Sequence, residues 1–531
     1  MTPTPTVPST TVPPPFPARP RRRRRPLAAV ALLAVAALTA ACSNSTDSSG
    51  GSGGGGNQTL SGDCARYQPY AGHGGTTVTV FASILSPESD NLEKSWADFS
   101  RCTGIRISYE GSNDFESQLP VRVSGGNAPD FAIVPQPGLL AQMVKSGKVV
   151  KPPQQTVANQ EKWSPVWKTY GSVNGTFYAA PMSANMKSLV WYSPKTFKQA
   201  GYEVPKTWAD LMALSDRIAK AGGGAKPWCG GISSGTATGW PATDWLEEVV
   251  LGTYGGEVYD QWVNHQVKFS DPKIAAAMRT VADWMQNPAW VNGGYGDVKS
   301  IATTTFQDAG APILTGKCLM LQQASFYKAQ WPKDTKIGPD GDIFAFHLPA
   351  VDPSVPNPVE GGGEFLTAFA SRPEVQAVQN YLSSADWASS RVRTATGWVS
   401  ANQGVDKSLY TDPIDRLSAD ALTDPAATFR FDGSDLMPAA VGAGQEWKSL
   451  TAWFAEGQSI QKTGRGARRR APPRGGGARP PPPPPPAPSS RLLPPARFHR
   501  PRGFAAAVRR VPSFGSARLP VALVPGIPAS W

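Results

Sequence analysis

The chain has 531 residues, of which 40% are hydrophobic and 17% are charged, as in a soluble globular protein with room for two domains. The formal net charge of +12 lies at the two ends: residues 1–26 carry six Arg, residues 464–531 carry thirteen, and neither segment contains an acidic residue. Residues 27–463 therefore have a net charge of −7, which argues against a basic face for nucleic acid, so we expect no nucleic-acid partner.

Residues 1–41 have the features of a bacterial signal peptide. A Thr- and Pro-rich start leads to five consecutive Arg at residues 21–25, and these precede an apolar run at residues 27–41. That run is too short to cross a bilayer, but it suits the core of a signal peptide behind a positively charged segment. We therefore expect the folded part of the protein to lie outside the cytoplasm.

A lipid anchor is predicted directly after this segment. Small residues lead to Cys42, as in a bacterial lipobox, where the cysteine is lipidated and becomes the mature N-terminus. Residues 42–75 are expected to contain this anchor and a Gly/Ser-rich tether, so that the protein contacts the membrane through the anchor alone. The alternative is an ordinary secretory cleavage in which Cys42 has no such role.

Strands and helices alternate from residue 76 onward. Residues 76–84 and 105–111 have the β-branched pattern of strands, and residues 128–138 predict a third strand that leaves into a loop. Residues 86–104 predict a helix with Ser86 as its N-cap. This alternation indicates a mostly parallel α/β layer.

In such a layer, ligands bind at the carboxyl ends of the strands. That rule places residues 83–88 and Gln136 at one edge of the predicted sheet. Farther along, residues 207–222 predict a helix with Thr207 as its N-cap, and residues 271–288 and 372–388 predict two more helices.

Residues 464–531 predict a disordered tail that is rich in Pro and Arg. The segment contains no Asn, Gln, Thr, Lys, Asp or Glu. Codons for Pro, Arg, Gly and Ala are GC-rich, so we favour a frame-shifted reading of GC-rich DNA. A genuine basic tail is the alternative, and we assign the segment no function in either case.

Four cysteines remain once Cys42 is set aside, and they predict two disulfides. An even number of cysteines in an exported protein indicates structural bridges, with three possible pairings here. We expect the pairing that is local in sequence, Cys64–Cys102 and Cys229–Cys318. A metal site is the competing interpretation, but the sequence has no C-x-x-C and no His near these cysteines.

Other patterns do not support a catalytic or cofactor site. Residues 231–235 match a nucleophile elbow around Ser233, but a Gly/Thr loop follows where a helix is needed. Residues 310–317 are one residue too long for a phosphate loop, and Cys318 stands where a hydroxyl residue would hold magnesium. The four His are scattered, so neither a zinc cluster nor a His-based triad is indicated, and we expect no metal and no cofactor. The carboxylates are too numerous for the sequence alone to exclude a glycosidase pair.

The remaining signal is aromatic and favours a sugar ligand. Pyranose rings have apolar C–H faces that stack on aromatic rings, and their hydroxyl groups need polar partners. Most of the 17 Trp are expected in the core. The segment GWPATDW at residues 239–245 instead places Trp240 in a Gly/Pro loop, with Asp244 close by.

Several longer segments occur in a characteristic order between residues 76 and 463. They include APDFAIVPQPGLLA, NGTFYAAPMSANMKSLVWYSPKTF, GWPATDWLEEVVL, CLMLQQASF and FRFDGSDLMPAAVGAG. In these segments the chain resembles the extracellular solute-binding proteins of bacterial ABC sugar importers, closest to actinobacterial α-glucoside-binding lipoproteins. The resemblance implies an α/β, two-lobe fold of the type II periplasmic-binding-protein kind, with a hinge, an interlobe cleft and disordered termini.

The resemblance also implies domain boundaries and partners. The N-terminal lobe is expected at residues 76–185 and 348–371, and the C-terminal lobe at residues 186–347 and 372–463. Crossings between the lobes are expected near residues 182–189, near residues 347–361 and around Arg372. The implied protein is a monomer, and not an enzyme, that captures an α-glucoside or short α-linked oligosaccharide and delivers it to ABC permease subunits.

Twelve residues become candidate ligand-binding residues by their position in the resembling segments. They are Ser83, Glu88, Gln136, Asn185, Lys187, Trp240, Asp244, Gln323, Phe326, Glu364, Trp398 and Asp435. Two other classes of function share these features: an exported carbohydrate-active enzyme, and an adhesion or scaffold lipoprotein with a vestigial cleft.

Overall fold

The computed structural model describes residues 59–456. The predicted signal peptide, the Cys42 anchor, the first part of the tether and the tail at residues 464–531 lie outside the described residues. The strands are β1 (Thr77–Ala82), β2 (Arg106–Gly111), β3 (Phe131–Val134), β4 (Ser172–Val173), β5 (Thr176–Phe177), β6 (Ala179–Pro181), β7 (Asn185–Met186), β8 (Leu189–Tyr192), β9 (Lys226–Cys229), β10 (Val291–Asn292), β11 (Cys318–Gln322), β12 (Phe344–His347), β13 (Pro358–Gly362), β14 (Phe365–Ala368) and β15 (Thr428–Phe431).

The α-helices are α1 (Glu88–Ser95), α2 (Ala97–Thr103), α3 (Phe115–Ser124), α4 (Pro137–Lys145), α5 (Gln154–Gln160), α6 (Pro165–Tyr170), α7 (Pro194–Ala200), α8 (Trp208–Lys220), α9 (Trp240–Val263), α10 (Pro272–Met285), α11 (Ala311–Leu314), α12 (Pro373–Leu382), α13 (Ala385–Thr394), α14 (Pro413–Thr423), α15 (Gly433–Leu436) and α16 (Trp447–Glu456). Short 3₁₀ helices span Gly62–Tyr70, Gly235–Ala237, Lys299–Ala302, Ser325–Gln330 and Lys407–Leu409, and a π-helix spans Ala440–Glu446. Within residues 59–456, no helix combines the length and the hydrophobicity that a membrane crossing needs.

The first lobe is built on a five-stranded sheet in the order β2-β1-β3-β14-β6. The three strands predicted from the sequence are confirmed as β1, β2 and β3, and they pair in parallel. Strand β14 returns antiparallel between β3 and β6, so the sheet is mixed rather than wholly parallel. The predicted helix over residues 86–104 begins after Ser86, at Glu88, and breaks at Trp96, whose ring is buried in the lobe core.

Residues 59–75, which we expected to belong to the tether, are folded onto this lobe. The 3₁₀ helix Gly62–Tyr70 places Tyr67 in the core, edge-on to Phe99 at 5.8 Å between ring centroids. The Cys64–Cys102 disulfide fixes the same segment to α2. The predicted start of the lobe at residue 76 is therefore too late.

The second lobe has its own five-stranded sheet, in the order β10-β9-β11-β8-β12. Helix α8 begins as predicted, because the Thr207 hydroxyl accepts from the Asp210 N–H and the Asp210 carboxylate accepts from the Thr207 N–H. The second disulfide, Cys229–Cys318, joins β9 to its neighbour β11. Both predicted disulfide pairings are therefore confirmed.

A third sheet, in the order β15-β13-β7, is made by the segments that cross between the lobes. We call it the connecting sheet. Two crossings occur near the expected places, at β7 and β13, but the third is β15 rather than the chain around Arg372. Arg372 pairs with Asp130 of the first lobe at 2.8 Å, and α12 packs into the first-lobe core through residues such as Val378. Helices α12 and α13 therefore extend the first lobe, contrary to the expected boundary at residue 372.

Candidate functional site

A cleft lies between the two sheets, next to the connecting sheet. Its free space is about 970 Å³ when counted out into the solvent at its open mouth. Nine of the twelve candidate residues line it, namely Ser83, Glu88, Gln136, Asn185, Lys187, Trp240, Phe326, Glu364 and Asp435. Ser83 and Gln136 follow β1 and β3, as the rule for strand carboxyl ends predicts.

Three aromatic rings form one wall of the cleft, on the second-lobe side. The ring centroid of Trp240 lies 5.1 Å from that of Phe306 and 5.9 Å from that of Phe326, and all three side chains are partly exposed. Trp240 is not in a loop, as we expected, but is the first residue of α9, because Pro241 is suited to the first helical turn. We call this set the aromatic wall; it offers an apolar surface on which a sugar ring can stack.

The first-lobe side of the cleft is polar and rich in acceptors. Gln136 donates from Nε2 to Glu116 Oε1 at 3.2 Å, which leaves Gln136 Oε1 and Glu116 Oε2 buried and without a donor from residues 59–456. Glu88, in the first turn of α1, and Glu364, just before β14, also face the cleft. Burial raises the pKa of Glu88 to about 7 and, together with the Glu88 charge, that of Glu364 to about 8.

Lys187 forms the floor of the cleft with two buried carboxylates. Its ammonium lies 2.8 Å from Asp244 Oδ1, also pairs with Asp432 Oδ2, and lies 5.2 Å from the ring centroid of Trp240. Burial alone would lower the pKa of Lys187, but the charges of Asp244 and Asp432 hold it well above its usual value. Lys187 is therefore a permanent ammonium.

Asp432 is held in place by the backbone that follows it. Its Oδ1 accepts from Ser434 Oγ at 2.9 Å and from the Asp435 N–H at 2.8 Å, which caps α15. Glu247 of α9 accepts from the Gly433 and Ser434 N–H groups and anchors the same turn. The floor is thus fixed to both β15 and α9.

Asp244, Glu360 and Asp432 also have carboxylate oxygens within 4.8 Å of one another, a spacing suited to a metal ion. The Lys187 ammonium, however, already pairs with two of the three carboxylates. Glu360 is fully buried, and neither of its carboxylate oxygens has a hydrogen-bond partner among the described residues. The chain supplies its own cation here, and Glu360 has a pKa well above its usual value because of burial and neighbouring carboxylates.

Three candidate residues do not line the cleft. Asp244 lies behind it as a partner of Lys187. Gln323 is 2% exposed, and its side chain accepts from the Ala324 N–H at 2.8 Å, so it shapes the backbone instead. The ring centroid of Trp398 lies 5.4 Å from that of Trp387 and 5.5 Å from Cζ of Arg391. Trp398 became a candidate only through the position of its segment, TGWVSA at residues 396–401, in the chain. That position does not predict how the ring packs.

Other residues that line the cleft were not predicted from the sequence. Glu116, Phe306, Asp432 and Trp447 all line the cleft. Asp432 had a usable signal, because it lies in the segment FRFDGSDLMPAAVGAG, which carries part of the family resemblance. Phe306 had none, since its loop lacks a pattern that distinguishes a binding residue from a core residue.

The lobes also touch across the cleft mouth. The N–H and hydroxyl groups of Thr236, in the second lobe, donate to the Asn113 carbonyl of the first lobe at 3.2 and 3.3 Å. Gly235 has a φ of +55°, and a Cβ there would lie 2.4 Å from the same carbonyl oxygen. We call this contact between Asn113 and Gly235–Thr236 the mouth contact.

The amino-acid sequence of this chain is similar to those of known binding proteins. Residues 86–389 match the sequence model of a family described as bacterial extracellular solute-binding protein. The chain is 35% identical over 400 residues to the osmoprotective compounds-binding protein GgtB of Synechocystis, covering 73% of this chain and 91% of that protein. It is 34% identical over 406 residues to the α-glucosides-binding periplasmic protein AglE of Rhizobium meliloti, covering 74% and 87%.

Solved structures share the fold. The bacterial solute receptor AcbH, described with a preference for β-D-galactopyranose, matches with a TM-score of 0.62 at 17% identity over 74% of this chain and 98% of its own. The maltose-bound MalE3 of T. maritima matches with a TM-score of 0.56 at 17% identity, over 74% and 98%. The predicted two-lobe α/β fold of the type II periplasmic-binding-protein kind is confirmed.

Proposed function

Because this chain belongs to the bacterial extracellular solute-binding proteins, which supply ABC importers, we propose that it captures an α-glucoside and delivers it unchanged to a membrane permease. The family is the one that the sequence resemblance implied, the extracellular solute-binding proteins of ABC sugar importers. The observation that carries the proposal is the pairing of an aromatic wall with an acceptor-rich wall across one cleft.

The two walls suit the two kinds of surface on a pyranose. The C–H face of a ring stacks on Trp240, Phe306 or Phe326, and the hydroxyl groups donate to the carboxyl and amide oxygens opposite. The carboxyl groups of Glu88 and Glu364 are partly exposed on this wall, so we expect their hydrogen bonds with the hydroxyl groups to fix the orientation of the sugar. The α-glucoside assignment is supported by the name of AglE, a relative over most of both chains.

Delivery to a permease needs a protein that closes on the sugar and reopens. The connecting sheet is the structural link on which the lobes turn in this proposal, and the mouth contact is the point at which they meet when closed. Closure expels water from the cleft and strengthens every polar contact inside it. No bond of the sugar is made or broken in this cycle.

The chain works outside the cytoplasm, as its family does, and we propose that Cys42 carries the lipid that holds it at the membrane. Residues 42–58, between this cysteine and the first described residue, are rich in Gly and Ser, as a tether requires. Mass spectrometry of the protein from its native membrane tests the anchor. Diacylglycerol on Cys42 is expected, and a mature chain without lipid would contradict it.

Isothermal titration calorimetry of the full chain with maltose, trehalose and sucrose tests the function. We expect saturable binding of at least one of these sugars with one site per chain, and chromatography should recover that sugar intact. The absence of binding by folded protein would contradict the α-glucoside assignment. Product accumulation during long incubation would instead favour the exported enzyme.

A further inference from the structure

The cleft wall carries carboxyl groups and buried acceptor atoms that have no partner among the described residues. Four carboxyl groups line it without an ion-pair partner among the described residues, namely Glu88, Glu116, Glu364 and Asp435. The lysine that lines it, Lys187, is already paired with Asp244 and Asp432, so its charge is fully compensated. A ligand that fits this wall must therefore bring donors or positive charge.

Two buried amide side chains on the cleft wall also need hydrogen-bond donors from a ligand. Gln136 and Asn185 are 4% and 8% exposed, both line the cleft, and neither Gln136 Oε1 nor Asn185 Oδ1 receives a hydrogen bond within the described chain. A buried acceptor without a donor costs about 1–3 kcal/mol, and a donor on a ligand removes that cost. Hydroxyl groups of a sugar provide one donor each, whereas an ammonium group provides three and a full positive charge.

We propose that the cleft selects its sugar by charge, binding α-glucosides that carry a basic amino group more tightly than neutral ones and rejecting anionic ones. This inference rests on the proposed sugar-binding function. The ammonium is expected to lie against Glu88 and Glu364, because both carboxyl groups are partly exposed to the cleft. Phosphorylated sugars and uronic acids meet carboxyl groups that have no ion-pair partner among the described residues, and a lysine that is already paired with Asp244 and Asp432.

The charged and titratable groups around Glu88 and Glu364 leave room for such a cation. Arg391 lies behind both and attracts them, but it forms no ion pair with either, and its guanidinium stacks on Trp398. Lys187 acts weakly on Glu364, and Tyr109 is occupied in donating to the Ile84 carbonyl at 2.7 Å. Burial raises the pKa of Glu88 to about 7 and that of Glu364 to about 8, so both carboxyl groups carry part of a proton near neutral pH, and binding of an ammonium releases protons to the buffer.

Calorimetry of the full chain tests this inference. The parent sugar is whichever of maltose, trehalose and sucrose binds, and it is compared with its amino-deoxy, azido-deoxy and phosphate derivatives. The azide is the neutral control for the amine at the same carbon, and carbons 2 and 6 are both tested. We expect the amine to bind about tenfold more tightly than the azide at one of these carbons at least, which is about 1.4 kcal/mol. The phosphate should bind at least about a hundredfold more weakly than the parent.

Proton release gives a second readout. Titrations in two buffers of different ionisation enthalpy should show release on binding of the amine and much less on binding of the azide. An amine that binds no more tightly than the azide at either carbon, or a phosphate that binds as well as the parent, overturns the inference and leaves the proposed function standing. If none of the parent sugars binds, the proposed function itself fails.

Substitutions of Glu364 and Glu88 test whether these two carboxyl groups cause the preference for the amine. Glu364→Gln should reduce the preference for the amine over the azide about tenfold and reduce the proton release. Glu88→Gln is the second variant, in case the first does not fold. Glu93→Gln, an exposed position on the same helix as Glu88, is the matched control and should leave both readouts unchanged. An unaltered preference in both cleft variants would overturn the assignment to these two carboxyl groups.

Discussion

The ammonium of Lys187 lies 2.8 Å from Asp244 Oδ1, so the residue that follows β7 of the connecting sheet is bound to α9 of the second lobe. Both side chains are almost fully buried, at 6% and 1% exposure. A buried charge needs an ion-pair partner, and here one lysine is the partner of two carboxylates.

Lys187→Met should therefore destabilise the protein by about 3–5 kcal/mol, because Asp244 and Asp432 are left buried without a counter-charge. Urea unfolding followed by circular dichroism measures the loss. Lys195→Met is the matched control, since its ion pair with Asp342 is exposed and is expected to contribute less than about 1 kcal/mol. Equal effects of the two substitutions would contradict this account of the floor.

The mouth contact should control how long the sugar stays bound. Gly235→Val places a side chain against the Asn113 carbonyl and should hold the lobes apart, raising the dissociation rate of the sugar about tenfold or more. Stopped-flow tryptophan fluorescence measures that rate.

Gly222→Val is the control for backbone strain, because Gly222 has a φ of +77° but a Cβ added there would have no atom within 4 Å. Both variants carry the cost of a valine at positive φ. If the two variants release sugar at the same rate, the contact with Asn113 has no part in closure.

The Cys64–Cys102 bridge should stabilise the folded first lobe. It closes a separation of 38 residues, for which the chain-entropy estimate is about 4 kcal/mol. Cys64→Ala with Cys102→Ala should lower the free energy of unfolding by roughly 2–5 kcal/mol, measured by urea titration under non-reducing conditions. An unchanged midpoint would show that packing of Tyr67 against Phe99 holds the segment without the bridge.

The ligand-free protein should become less stable as the pH rises from about 5 to 8. In the folded state the pKa values of Glu88 and Glu364 are about 7 and about 8, whereas an unfolded glutamate has a pKa near 4.5. Between these values the folded state binds more protons than the unfolded chain, so the free energy of unfolding falls with pH. Thermal melts across this range measure the slope. Glu364→Gln should flatten it, and a melting temperature that increases with pH would contradict these assignments.

Local patterns predicted most of the first lobe and the start of α8. The β-branched segments became β1, β2 and β3, and the Thr207 cap was visible because a capping box is confined to four consecutive residues. The floor of the cleft could not be predicted in this way. Lys187, Asp244 and Asp432 are brought together by three separate chain segments, and no local pattern records that juxtaposition. Trp240 lines the cleft, but the loop predicted for it is wrong, because Trp240 is the first residue of α9.

The affinity of Trp240→Ala for the bound sugar, measured by calorimetry beside the unaltered chain, tests the central claim most directly. Loss of the largest ring in the aromatic wall should weaken binding at least about tenfold. Tyr295→Ala removes an aromatic side chain that is 80% exposed and does not line the cleft, and it should leave the affinity unchanged. Equal affinities for all three proteins would contradict the claim that the sugar is captured against this wall.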